Sequence, residues 1–167
     1  GWRRATGSPP ARARPPGSYY HNFVTHLLEA AFQREVYKLI DNGEGFDGDR
    51  LCEIKKAVLK KFWGDAVEID DDAALTWMRQ SHYYMGLYPY TYSASLTIST
   101  QAYLKIKEQG QPAIDAWLKF LKFDNCPAPI EAAKIAGVDI TTDEPLKNTI
   151  KFLDETVDKI AELTKEL

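Results

Sequence analysis

Between Tyr19 and Asp41 apolar residues recur at Phe23, Leu27, Ala30 or Ala31, Val36 and Ile40, with no internal Gly or Pro. That spacing predicts one long helix with a single inward stripe, ended by Asn42-Gly43-Glu44-Gly45. A second helix is expected from the caps Asp47 or Asp49 to Gly64. Its inner side would be Leu51, Ile54, Val58, Leu59 and Phe62, and its outer face Lys55, Lys56, Lys60 and Lys61. Asp70-Asp71-Asp72 places negative charge at the start of a short third helix, Ala73 to Met78, where it complements the macrodipole and Trp77 and Met78 would pack inward.

From Ser81 to Gln109 the apolar pattern runs all round rather than along one side, which predicts a buried helix. Gly86 and Pro89 interrupt its opening, so a loop through about residue 87 and a helix from Tyr88 or Pro89 are expected. Pro112 opens the next helix, with Ile114, Trp117, Leu118 and Leu121 as its core stripe, and Pro127 and Pro129 open a short one ended by Gly137. The last helix begins near Thr142 or Asp143. Leu146, Ile150, Leu153, Val157, Ile160, Leu163 and Leu167 form a seam expected to pack along its own domain rather than on another chain. No segment alternates with the period of a strand, so the expected fold class is all-α, with about six helices.

Composition adds limits. A 167-residue chain that is 44% hydrophobic and 27% charged can bury a core without disulfide or metal staples. A net charge of -3 gives no field that would draw nucleic acid or an anionic membrane. Residues 1–18 differ from the rest: four arginines and no acid, with Pro9, Pro10, Pro15 and Pro16. They are expected to be a disordered basic leader or a cloning-derived tail, in preference to a nucleic-acid arm, with the helical domain spanning 19–167. No secretory leader or membrane-length apolar run is present, which gives a cytoplasmic expectation with neither membrane nor nucleic-acid partner. Cys52 and Cys126 lack metal or redox spacing and are expected to be reduced, packed thiols.

Candidate chemistry is sparse. The three histidines, His21, His26 and His82, form no HExxH, no HxH and no pair four apart, so the chain alone is expected to bind no zinc. His26 and Glu29 would share a helix face, more readily as a hydrogen-bonded packing pair than as metal ligands. Five of the nine tyrosines fall between Tyr83 and Tyr92, beside His82. Buried phenols need partners, so this run is either an aromatic core or a wall of hydroxyl donors facing a cavity, of the kind a hydrolase aims at a developing oxyanion. Tyr88 and Tyr92 are one turn apart and can cooperate, whereas Tyr90 points elsewhere.

The stretch Trp77, His82-Tyr83-Tyr84 and Leu87-Tyr88-Pro89-Tyr90-Thr91-Tyr92-Ser93-Ala94 resembles the C-terminal signature of the oligoendopeptidase F family, thimet-oligopeptidase-like zinc peptidases. Tyr20 to Ala30, Phe62-Trp63-Gly64-Asp65 with Val67 to Asp70, and Ala136 to Asp139 with Pro145 agree in the same order. The resemblance implies the helical C-terminal lobe of a neurolysin-like, thermolysin-like oligopeptidase. Zinc would be held in the complete enzyme by an HExxH helix and a downstream glutamate, none of them in this chain. It further implies that His82, Tyr88 and Tyr92 act on the transition state, that Tyr84 and Tyr90 join them in holding an oligopeptide, and that the chain's partner is the missing zinc-bearing N-terminal part. Alone it would be inactive. The alternative from chemistry is a non-catalytic helical module that holds a peptide or a partner helix in a tyrosine-lined groove.

Overall fold

The computed structural model describes residues 18–123 and 128–165, and no strand occurs among them. The expectations for residues 1–17, Cys126, Pro127 and Leu167 therefore lie outside the described residues. The chain divides after Ser93 into two compact units.

The first unit opens with a π-helix, Tyr20–Thr25, that runs directly into α1, His26–Asp41. A π-turn takes in more residues than an α-turn, so it rotates everything before it relative to the stripe that follows. The buried face is accordingly not the one drawn from apolar residues. Phe23, His26, Leu28, Glu29, Phe32 and Gln33 are buried, while Leu27 is 41% and Ile40 55% exposed. Half of that face is polar, which is why apolar spacing cannot find it.

Helix α2, Gly48–Trp63, starts where Asp47 accepts the Arg50 backbone N–H at 2.9 Å and ends at Gly64. Ile54 is buried as expected, but so is Lys55, which corrects its assignment to the outer face. Leu51, Lys55, Val58 and Phe62 step by four, three and four, so Lys55 lies on the apolar stripe itself. A single turn, α3, Asp71–Ala74, is capped by the Asp70 carboxylate on the Ala73 N–H and tightens into a 3₁₀ turn, Leu75–Met78. Trp77 is half-buried and its indole N–H donates to Cys52 Sγ at 3.4 Å, whereas Met78 is exposed, contrary to the inward packing expected of it.

A second 3₁₀ turn, Ser81–Tyr84, occupies the predicted loop, and α4, Tyr90–Gln109, follows the buried Pro89. The buried positions of α4 are Ser93, Thr97, Thr100, Gln101 and Ala102, while Tyr90 and Tyr103 are about half exposed. Small and hydroxyl-bearing residues thus face inward, and the uniformly buried helix read from the apolar pattern is not observed.

In the second unit, α5, Gln111–Leu121, and α6, Pro129–Ile135, each carry Pro in the first turn. Gly137, at φ 78°, ends α6 and lets the Val138 N–H reach the Ala133 carbonyl at 2.9 Å. Among the described residues its buried aliphatic set is small: Ala102, Ala113, Ala133, Ala136 and Val138. Helix α7, Glu144–Thr164, is fixed by Thr149, fully buried, which accepts from Gln101 Nε2 at 3.1 Å and donates to the Pro145 carbonyl at 2.9 Å. Its predicted seam is largely open, with Ile150 52% and Val157 63% exposed. Among the described residues no helix is long and apolar enough to cross a membrane.

Candidate functional site

The 3₁₀ turn carrying His82 is folded back onto α1 by one side chain. Gln33 Nε2, buried, donates to the carbonyls of His82, Tyr83 and Met85 at 3.2, 3.1 and 3.0 Å. Lys55 secures the same turn from α2 by donating to the Tyr83 hydroxyl, and the Tyr83 ring lies edge-on to the buried Phe32. Tyr92 is brought up from the other direction, since Ser93 Oγ donates to the Phe23 carbonyl of the π-helix at 2.9 Å.

These attachments assemble a cluster of rings. His26 stacks on Tyr92 with centroids 4.0 Å apart, and His82 meets His26 edge-on at 4.8 Å. His82 also stacks on Tyr88 at 5.6 Å, and Tyr88 and Tyr92 stand perpendicular at 5.4 Å. A file of polar atoms runs through the rings: His82 Nε2 to the Tyr92 hydroxyl at 3.2 Å, and that hydroxyl to Tyr88's at 3.3 Å. The hydrogen bond with Tyr88, then burial, hold the Tyr92 phenol above the usual tyrosine range, so it is a protonated donor at neutral pH. Leu87, between the two halves of the cluster, adopts φ 53°, a left-handed conformation that a leucine rarely takes.

Of the five residues singled out in the sequence, the fold brings His82, Tyr88 and Tyr92 together. Tyr84 is 69% exposed and stands outside the cluster, while Tyr90 lines a separate cavity of about 350 Å³ with Gln33, Tyr37 and Leu87.

His26 and Glu29 are 1% and 0% exposed, with Nδ1 and Oε2 2.6 Å apart. The three histidines, which show no metal-ligand spacing along the chain, are neighbours in space, His21 and His82 each standing edge-on to His26 at 4.8 Å. Glu29 Oε1 and His82 Nδ1 are buried without a hydrogen-bond partner, an arrangement that costs on the order of 1–3 kcal/mol per group. Lys55, expected on an outer face, and Gln33, given no role by the apolar pattern, both support the site. The available signal was Lys55's position on the α2 stripe. Burial pushes the Lys55 ammonium down to about 8, partly opposed by the charge of Glu29, and burial raises the Tyr83 phenol. Both line a cavity of about 570 Å³ with Glu29, His21, Trp63 and Arg79.

No family model matches the chain. Among curated proteins, oligopeptidase PepF of Bacillus subtilis is 31% identical over 134 residues, which cover 80% of this chain and 20% of the relative. The oligoendopeptidase F homolog of Borreliella burgdorferi is 27% identical over 141 residues, covering 84% of this chain and 24% of the relative. The chain belongs with the oligoendopeptidase F peptidases. The crystal structure of oligoendopeptidase-F from Enterococcus faecium superposes with a TM-score of 0.83 at 23% identity, over 89% of this chain and 29% of that one, so the helical fold is shared. The chain spans about a fifth to a quarter of the length of these curated oligoendopeptidase F relatives.

The resemblance brings with it zinc on an HExxH helix, and this chain does not fit that ligand set. It has no HExxH, and among the described residues the converging group is His26, Glu29 and His82, contributed by α1 and a 3₁₀ turn.

Proposed function

We propose that the chain is the C-terminal, substrate-facing lobe of an oligoendopeptidase F type zinc peptidase that hydrolyses peptide bonds in short peptides. The observation that carries this reading is the file from His82 through Tyr92 to Tyr88, built by residues that match the family's signature segment and ending on a hydroxyl open to solvent. In the complete enzyme the zinc and its ligands belong to the remainder of the protein.

The residues of this chain would supply hydrogen-bond donors. The Tyr92 phenol stays protonated, and its neighbours restrict where its O–H can point. Such a donor, already oriented before reaction, stabilises a carbonyl oxygen more as it becomes an oxyanion than in the ground state, because no reorganisation is needed. His82 and Tyr88 would orient Tyr92 through their hydrogen bonds to its hydroxyl oxygen, leaving the Tyr92 O–H for the substrate carbonyl. Tyr84, exposed outside the cluster, would contact the peptide farther along.

The apolar residues exposed along α7 agree with a lobe that packs on more protein. The chain alone is proposed to be inactive. The test is to express it alone and joined to the upstream coding sequence, and to assay both on an internally quenched peptide. Cleavage by the long form only, abolished by chelation, is expected. Cleavage by the chain alone, or by neither form, would contradict the proposal.

A further inference from the structure

Glu29 is wholly buried, and only one of its oxygens is engaged: Oε2 meets His26 Nδ1, while Oε1 has no donor. The cation in its field, Lys55, gives its hydrogen bond to the Tyr83 hydroxyl. His82 is satisfied at Nε2 by Tyr92, and its Nδ1 is buried without a partner. The two residues that carry these unpartnered atoms belong to one grouping, in which a ligand atom each from His26, Glu29 and His82 lies within 4.8 Å of the others.

Against the expectation from histidine spacing that the chain alone binds no zinc, we propose that His26, Glu29 and His82 form a binding site for a divalent transition-metal ion. Two imidazoles and a carboxylate suit zinc, cobalt or nickel and leave at least one position for water or another ligand. Ligands about 2.0–2.1 Å from a tetrahedral ion stand nearer one another than 4.8 Å, so the site must tighten on binding. His82 can make that adjustment, because it is half-buried on a short turn while His26 and Glu29 are fixed in α1. An ion on His82 Nδ1 would fix the tautomer with the proton on Nε2, which then donates to Tyr92. The metal would thus order the same hydroxyl file from behind, and no covalent step is involved.

His21 stands next to His26 but contributes no converging atom, which provides a control. The experiment uses the full chain, stripped with chelator, titrated with Co²⁺ by visible absorption and with Zn²⁺ by calorimetry. It needs no peptidase activity, so its outcome is independent of the reading above. One ion per chain is expected, with Glu29→Gln and His82→Ala each weakening binding about tenfold or more and His21→Ala binding as the parent does. If Glu29→Gln fails to fold by circular dichroism, His82→Ala decides, together with a Zn²⁺-induced shift of the His82 Nδ1 resonance in imidazole ¹⁵N NMR. No saturable uptake, or binding indifferent to His82→Ala and without that shift, would overturn the proposal.

Discussion

Lys55 and Gln33 hold the histidine turn in place, and both invert what their residue types lead one to expect. A lysine is buried only at a cost, and the folded state's depressed pKa makes that cost depend on pH. Between about pH 8 and the ordinary lysine value of 10.5 the unfolded chain keeps a proton that the folded chain has lost. Stability should therefore rise with pH across that window, and a penalty of about 3 kcal/mol should stand in full below it. Urea unfolding from about pH 8 to pH 10 checks this. Lys55→Met should flatten the slope; an unchanged slope in that variant would assign the proton to another group. Gln33→Leu removes the donor to three carbonyls and should cost about 2 kcal/mol. Hydrogen exchange should quicken at the 81–85 amides more than across α2, and uniform quickening would mean that the residue only supports the core. Neither role could be read from the chain, because both depend on partners about thirty to fifty positions away.

At the scale of elements, the helix starts were legible where a cap or proline announces them. Asp47, Asp70 and the prolines of α5, α6 and α7 all stand in the first turn or just before it. Asp47→Ala should cost about 1 kcal/mol, seen as a lower urea midpoint with an unchanged m-value. What escaped was the π-helix at Tyr20–Thr25, which has no compositional mark, and with it the face of α1 that is buried. The pattern misled in a different way in α4, whose inner face is made of Ser93, Thr97, Thr100 and Gln101. Hydroxyl and amide side chains can be buried when paired, and a hydrophobicity pattern does not register pairing. Thr149, invisible to the same pattern, closes such a pair with Gln101. Thr149→Val should leave that amide unsatisfied and destabilise the chain by about 1–2 kcal/mol. An unchanged melting temperature would show that Gln101 finds another partner.

For the whole molecule, the tyrosine segment was legible as a run of residues, and the family resemblance named the three that meet. Chemistry alone left core and cavity wall open, because a tyrosine count does not report how His82, Tyr92 and Tyr88 are placed relative to one another. On the proposed function, this file serves the transition state in a complete peptidase. Its most direct test is turnover by the long form carrying Tyr92→Phe, a change that removes one hydroxyl and keeps the ring stacked on His26. A fall in kcat of about 100-fold is expected, with KM and the melting temperature little changed, because the lost donor acts on the transition state. Turnover equal to that of the parent enzyme, with a lowered melting temperature, would contradict it and return the tyrosines to a structural role.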